Sequence, residues 1–249
     1  MEDFTSIGAD LPDPFRLLIR NTVHSTNDEV RMLAEAGAPD GLIILAHQQL
    51  AGRGRRGAAW FAPAGESLAF SILVRPQESK AFWPRLALAA GLAVAEAVED
   101  FVALAGIKWP NDVWVNGKKL AGILVEAGKD FAVVGIGVNI NTTAFPTEVA
   151  DIATSLRIET GEEISRPQVL ATIIRHFASR RLQIGADFDD MLEGIRERCV
   201  LTGHQISLLT ATGPRTGLME GIAPGGELLL RDAHGPHTIM QADEIRLKE

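Results

Sequence analysis

The chain has 249 residues, of which 46% are hydrophobic and 22% charged, and its formal net charge is −8. This length and composition are typical of a globular protein with a substantial core, built as one large domain or as a large and a small one. The negative balance argues against a general polyanion-binding surface, since such proteins usually carry a broad positive footprint.

Three further features bear on the compartment. The single cysteine, Cys199, allows no intrachain disulfide and is typical of a reducing environment. Residues Met1 to Phe4 lack the basic and apolar regions of a secretory signal. The most apolar stretch, Leu86 to Val98, is too short to span a bilayer and contains Glu96, so it predicts a buried helix. We therefore expect a cytoplasmic protein without a membrane segment.

The first part of the chain predicts a strand, a helix and a second strand. Residues 15–20 are strand-like, and the polar run 25–29 suits the cap of a helix that continues through Ala36 and stops at Gly37. Plain capping is the simplest role for that polar run. The apolar residues 41–47 predict a buried strand that leads directly to Gln49.

A loop rich in glycine and arginine follows, from Gln49 to Trp60. It contains the glycines Gly52, Gly54 and Gly57 and the arginines Arg53, Arg55 and Arg56. Glycines let a backbone wrap closely around a ligand and guanidinium groups supply fixed positive charge, so the loop is suited to an anion. We expect it to be mobile when empty and to close as a lid over a phosphate-bearing ligand.

The residues of this loop also fit less specific roles. It could be a solvated basic loop or a non-specific nucleic-acid contact. The glycine spacing matches the dinucleotide-binding pattern as well, but that pattern must open a helix, whereas the strand-like residues 68–74 follow here. The glycine-rich loop of protein kinases has the same glycine spacing, but a kinase would also need later H-R-D and D-F-G motifs, which the sequence does not contain.

The middle of the chain predicts a long helix and a hairpin. The helix is expected from Phe82 to Leu104. Residues 107–126 then predict two strands joined by a type I′ turn at Asn116-Gly117. Within the second strand, Lys119 faces either a pocket or solvent, and solvent is the commoner place for a lone lysine.

Residues 131–141 predict a strand in which Gly135 and Gly137 alternate. A strand face without side chains can accept a flat ligand, or it can pack closely against a helix, and the residues do not decide between the two. Asn139 would offer an amide at the edge of that face.

Beyond this strand, residues 142–163 resemble a linker, and helices are predicted at 165–183 and 187–198. From Val200 the pattern changes to short β runs separated by Gly and Pro, which indicates a separate small β-barrel. The expected domains are 1–198 and 199–249.

Taken together, four stretches make the chain resemble the biotin–protein ligases from about Phe15 to the C-terminus. They occur in the order found in that family: Ser25-Thr26-Asn27, the loop Gln49 to Trp60, the stretch Lys108 to Ile123, and Gly135 to Asn139. The third stretch contains the segments Lys-Trp-Pro-Asn-Asp and Lys-Leu-Ala-Gly-Ile. The resemblance implies an α+β fold, a mixed, largely antiparallel sheet like that of class II synthetases, backed by helices and followed by a small SH3-like barrel.

The resemblance also implies the activity of a biotin–[acetyl-CoA-carboxylase] ligase. Biotin would react with ATP to give biotinyl-5′-AMP and pyrophosphate, and biotin would then pass to a lysine of a biotin carboxyl carrier protein. ATP and biotin would be the substrates, with Mg²⁺ held mostly by phosphates and water. Neither step needs a protein nucleophile, so alignment and charge stabilisation are the expected contributions.

The residue assignments that the resemblance implies fall into three groups. Lys119, Arg53 and Arg55 would be catalytic. The biotin-binding residues would be Ser25, Thr26, Asn27, Gln49, Gly52, Arg53, Gly54, Arg55, Trp60, Lys119, Gly122, Gly135 and Gly137. The ATP-binding residues would be Arg53, Arg55, Arg56, Trp60, Asn111, Lys119 and Asn139, with Asn139 near the triphosphate and its magnesium.

Three alternatives and two open points accompany this interpretation. A lipoate–protein ligase shares the fold, but its R-R-x-S-G-G-G type motif is missing here. A regulator that binds biotin without transferring it is the second alternative, and it could do without the phosphate-binding charges of Arg53, Arg55 and Lys119. A nucleic-acid binder would show a steep salt dependence. Only 24 residues precede Ser25, so we expect no DNA-binding domain. Both a monomer and a homodimer remain open, as does the cover of the adenine.

Overall fold

The computed structural model describes residues 2–8 and 10–248, and its main element is a seven-stranded mixed sheet. The strand order is β1-β2-β3-β7-β6-β5-β4. Only β1 and β2 pair in parallel, and the other described pairs are antiparallel. The strands are β1 Arg16–Val23, β2 Leu42–Gln49, β3 Ser67–Val74, β4 Gly106–Lys108, β5 Asp112–Val115, β6 Lys118–Ala127 and β7 Ala132–Asn139.

Helices pack against this sheet. They are α1 Thr26–Glu35, α2 Arg85–Val98, α3 Leu156–Thr160, α4 Arg166–Arg180 and α5 Phe188–Arg198. The central helix α2 is rich in alanine and leucine, which are strong helix formers, and it is buried along almost its whole length. The mixed α+β architecture and the buried helix at 86–98 are therefore confirmed.

The predicted extent of that helix, 82–104, is wrong at both ends. Phe82 lies in a short 3-10 turn, Lys80–Phe82, and Pro84 precedes the first helical residue. At the other end the backbone N–H groups of Phe101 and Val102 both donate to the Val98 carbonyl, so the chain turns sharply. That turn brings it into β4, a short strand that the sequence pattern did not predict.

The hairpin turn is as predicted. Asn116 (φ 48°) and Gly117 (φ 78°) both lie in the left-handed region that a type I′ turn requires, and Val115 pairs with Lys118 across it. Close to the turn, the β5–β6 register shifts between Val113 and Trp114. Such a bulge changes which face of the sheet the neighbouring side chains occupy.

The C-terminal part forms a second, five-stranded antiparallel sheet of order β11-β10-β9-β8-β12. Its strands are β8 Gln205–Thr210, β9 Gly213–Ile222, β10 Leu228–Asp232, β11 Gly235–Ile239 and β12 Asp243–Leu247. The small C-terminal β structure is confirmed, although β12 was not predicted. The two sheets share one hydrophobic core, and Trp109 donates its indole N–H to Gly226 O at 2.9 Å. The domain boundary at 198/199 stays a prediction.

Candidate active site

One cavity of about 560 Å³ collects most of the residues singled out from the sequence. It is bounded by the start of α1, the arginine loop, the β4–β5–β6 end of the large sheet, β7 and the start of β12. The predicted residues in its lining are Ser25, Thr26, Asn27, Gln49, Arg53, Gly54, Arg55, Arg56, Trp60, Asn111, Lys119, Gly122, Gly135 and Gly137. Gly52 and Asn139 are not in the lining.

The polar run before α1 does not act as a side-chain cap. Ser25 has the extended backbone of a cap residue, but its side chain makes no capping hydrogen bond. Instead, Gln49 at the end of β2 accepts from the Thr26 backbone N–H at 2.8 Å and lies 3.1 Å from the Thr26 hydroxyl. The prediction of plain capping is therefore wrong, because an acceptor from the neighbouring strand takes that place and joins α1 to the cavity.

A chain of polar contacts continues into the sheet. The Ser71 hydroxyl, buried in β3, lies 2.7 Å from Thr26 Oγ1 and 2.6 Å from Asn27 Oδ1. Asn27 also donates from Nδ2 to Glu126 Oε2 at 2.6 Å. Buried polar groups joined in this way hold fixed orientations, so this end of the cavity presents preorganised donors and acceptors.

The glycines of β6 and β7 form the floor of the cavity. A Cβ on Gly135 would lie 2.2 Å from Asn27 Oδ1, and one on Gly137 would lie 2.3 Å from Trp60 Cε2. Close packing against a helix, one of the two roles predicted for these glycines, is confirmed at Gly135, while contact of the strand with a flat ligand stays a prediction. Gly135 packs against the first turn of α1, whereas Gly137 accepts a flat ring, that of Trp60. A Cβ on Gly122 would also be close to the Trp60 ring, at 3.1 Å.

The arginine loop is itself a small hairpin. Gly54 N donates to Ala58 O at 2.7 Å, and Trp60 N donates to Gly52 O at 2.9 Å. At its tip, Arg56 (φ 54°) and Gly57 (φ 75°) adopt left-handed backbone angles, and Gly57 makes that turn without strain. The loop thus has a regular backbone path across the cavity, while its mobility and its role as a lid stay predictions.

Carboxylates neutralise the arginines of the loop. Arg53 donates two hydrogen bonds of 2.6 Å to Asp28, and this hydrogen bonding lowers the pKa of Asp28. Arg55 and Arg56 each lie 2.7 Å from an oxygen of Asp243 at the start of β12, and Arg55 also donates to Ala242 O. The repulsion expected among three neighbouring arginines is therefore offset from two directions.

Lys119 lines the cavity, and the expectation that it faces solvent is wrong. Its Nζ lies 2.7 Å from Asp112 Oδ1 and 5.6 Å from the centre of the Trp60 ring. Its backbone N–H donates to Ile152 O and its carbonyl accepts from Thr154 N, which fixes the strand at this residue. The register shift opposite Lys119 helps to set the face on which its side chain lies, and the general preference of lone lysines for solvent takes no account of it.

Two predicted asparagines have defined positions. Asn111 donates to Ile123 O at 2.8 Å and accepts from Arg55 Nη1 at 3.3 Å, so it holds the tip of the loop against β6. Asn139 is 3% exposed and donates to Thr154 O at 3.0 Å. Its Oδ1 accepts no hydrogen bond from any residue that the structure describes. Asn139 lies outside the cavity lining, and its predicted place near the triphosphate and its magnesium stays a prediction.

Two residues that shape the site were missed from the sequence: Ser71, which contacts Thr26 and Asn27 beneath the cavity, and Asp243, which lines it. Ser71 could have been noticed as a polar residue in an otherwise apolar strand. Asp243 gave no local signal, since it contacts the loop only through the placement of the second sheet.

Two features are absent from the described stretches 2–8 and 10–248. They contain no helix long and apolar enough to cross a membrane. They also contain no group of three or more His, Cys, Asp and Glu side chains placed to hold a metal ion.

Comparison with known proteins agrees with this geometry. The family model described as "Biotin/lipoate A/B protein ligase family" matches residues 19–141. The biotin–[acetyl-CoA-carboxylase] ligase of Mycobacterium tuberculosis is 34% identical over 89% of this chain and 85% of its own length. The corresponding Paracoccus denitrificans ligase is 35% identical, covering 88% and 95% of the two chains.

A solved structure is similar over nearly the whole fold. The biotin protein ligase of Aquifex aeolicus, in complex with biotin and ATP, superimposes with a TM-score of 0.83 at 32% identity. The match covers 94% of this chain and 98% of the Aquifex chain.

Proposed function

The chain belongs to the biotin/lipoate A/B protein ligase family, and on that premise we propose how its cavity carries out the reaction. It is a biotin–protein ligase, which uses ATP to form biotinyl-5′-AMP and transfers biotin to a lysine of a carrier protein. The observation that carries the residue assignments is the cavity itself. It joins a hydrogen-bonding end, at the buried Thr26 and the half-buried Gln49, to a cluster of cations around Lys119.

The polar end fits the ureido ring of biotin, and the carboxylate at the far end of the biotin side chain would then reach the cationic end. Thr26, Gln49 and Asn27 are oriented by their mutual contacts and by Ser71, so they can donate and accept without reorganising. The glycine floor and the Trp60 ring provide the apolar surface that the bicyclic ring needs. Ser25 completes the wall beside this end.

The cationic end fits the developing charge of the first step. As the biotin carboxylate oxygen bonds to the α-phosphorus, negative charge shifts to the phosphate oxygens and to the departing pyrophosphate. In our proposal Lys119 contacts the carboxylate and the α-phosphate, while Arg53 and Arg55 donate to phosphate oxygens. Guanidinium groups match two oxygens at once, which suits both assignments. Phosphates would replace Asp28, Asp112 and Asp243 as partners of these cations.

Magnesium enters the proposal as part of the MgATP substrate. The chain offers amide and carboxylate oxygens near the cavity rather than a preformed cluster of ligands among the residues that the structure describes, and Mg²⁺ commonly relies on phosphate and water for most of its coordination. We further propose that the acceptor is the carrier protein of acetyl-CoA carboxylase or of a related carboxylase, and that the enzyme acts in the cytoplasm, as a monomer or a homodimer.

The test is the exchange of labelled pyrophosphate into ATP, run in parallel with biotin and with lipoate. We expect exchange with biotin alone, followed by transfer to an added carrier domain. Exchange with lipoate instead would assign the lipoate branch of the family. Biotin binding without exchange would replace the ligase assignment by that of a biotin-binding regulator.

A further inference from the structure

Lys108 differs from the other basic side chains of the cavity lining in its pairing with carboxylates. The lining contains five basic side chains: Lys108, Lys119, Arg53, Arg55 and Arg56. The last four each lie within 4 Å of a carboxylate. For Lys108, the structure records neither an ion pair nor a hydrogen bond from its ammonium group to any described residue.

The surroundings of Lys108 make that charge costly. Its Nζ lies over the Trp114 ring, 4.4 Å from the ring centre, and its side chain is partly buried at the end of β4. Burial lowers the pKa of Lys108, with Lys119 and Arg246 acting in the same direction and Asp112 against it. The face of an indole compensates an ammonium only in part. An anion entering the cavity would therefore stabilise Lys108 more than an already paired cation.

The register of the sheet places Lys108 beside the reacting region. Lys108 pairs with Asp112 across β4 and β5, so the two side chains lie on the same face of the sheet. Asp112 in turn holds the Lys119 ammonium. Two lysines therefore flank one carboxylate, an arrangement that suits an anion with several charged oxygens. Among the substrates of the reaction, the polyphosphate of ATP has this character.

We propose that Lys108 binds the β- and γ-phosphates of ATP and the pyrophosphate that leaves. This inference rests on the proposed function. In the first step a bond forms between a biotin carboxylate oxygen and the α-phosphorus of ATP. The bond between the α-phosphorus and the oxygen that bridges the α- and β-phosphorus atoms breaks. The electron pair goes to that oxygen, and the Lys108 ammonium donates a hydrogen bond to the pyrophosphate without giving up its proton. Lys119 remains with the α-phosphate and the carboxylate.

The test compares Lys108→Met with Lys108→Arg in biotin-dependent pyrophosphate exchange, with the exposed Lys118→Met as the matched control. Losing a charge-assisted hydrogen bond should raise the KM values for ATP and for pyrophosphate about 10- to 100-fold in Lys108→Met. Lys108→Arg should recover most of that loss, and Lys118→Met should match the wild type. The dissociation constant for biotin without ATP should stay within about twofold in all three, which also shows that they fold.

Three results would overturn the assignment of Lys108 to the phosphates. Wild-type KM values in Lys108→Met would overturn the assignment, as would a defect confined to transfer onto the carrier. Equal loss of biotin and ATP binding in both Lys108 variants would show that Lys108 only supports Trp114. If Lys108→Met has too little activity for kinetics, calorimetric titration with magnesium pyrophosphate gives the same comparison. A wild-type enzyme that fails to exchange with biotin would refute the proposed function itself, whatever Lys108 does.

Discussion

Replacing Gly137 by alanine should weaken biotin binding by displacing Trp60. The added Cβ would lie 2.3 Å from Trp60 Cε2 and 2.4 Å from Nε1, whereas ordinary van der Waals contacts begin at 3.4 Å. The indole therefore has to move by about 1 Å or more, since the β7 backbone lies between two paired strands and cannot retreat. Overpacking of this kind costs about 1–3 kcal/mol, which corresponds to about 5- to 150-fold in affinity.

Isothermal titration with biotin measures this loss directly. We expect the dissociation constant to rise about 5- to 150-fold in Gly137→Ala, with little change in melting temperature because Trp60 lies on a loop that can shift. Gly91→Ala is the matched control, since a Cβ there would meet no atom within 4 Å and Gly91 lies inside α2. That control should bind biotin normally and gain about 0.5–1 kcal/mol of stability. Normal biotin affinity in Gly137→Ala would refute the claim that the Trp60 ring on the β7 floor forms part of the biotin site.

Charged groups give three more predictions. Asp243→Asn should lower the KM for ATP up to about 30-fold, because each of the two partly exposed ion pairs that it makes with arginines contributes about 0.2–1 kcal/mol, and a raised KM would contradict this. Burial, with Arg166, lowers the pKa of His47 below 6.5, so the unfolded chain binds the proton more readily. Wild type should therefore lose more thermal stability than His47→Gln between about pH 7.5 and about pH 5.5, and parallel melting curves would argue against it. Glu2→Ala leaves the Arg166 side chain, 3% exposed, without its carboxylate partner, and urea unfolding should show a loss of about 1–3 kcal/mol; an unchanged midpoint would exclude a stabilising role for Glu2.

Sequence patterns over a few consecutive residues correctly predicted elements whose conformation depends mainly on those residues. The buried strand at 41–47 and the type I′ turn at Asn116-Gly117 follow from alternation, apolar runs and turn chemistry, and the structure has both. Three of the four stretches that carry the family resemblance follow strand ends: Ser25-Thr26-Asn27, the arginine loop and the start of the 108–123 stretch. The resemblance, and not a local pattern, grouped them as one site. Each of them leaves the large sheet at its own strand end, and the order of strands then brings them together.

The rest of the site depends on contacts that local patterns do not encode. Lys119 faces the cavity because the β5–β6 register shifts beside it, and no alternation rule contains a bulge. Arg55 contacts Ala242, 187 positions further along the chain, and the adjacent Asp243, through the way the second sheet packs on the first. Strand β12, which carries Asp243, is short and charged and so lacks the apolar alternation that identifies strands.

The pairing of nearly every cation in the cavity with a carboxylate has a kinetic consequence. Asp28, Asp112 and Asp243 cancel most of the positive field that the loop and Lys119 would otherwise project into solvent. Long-range attraction that accelerates the encounter of oppositely charged molecules is therefore weak at this entrance. The association rate of ATP should depend little on ionic strength, and selectivity for the nucleotide should instead be expressed in its dissociation rate, once the phosphates have displaced the carboxylates.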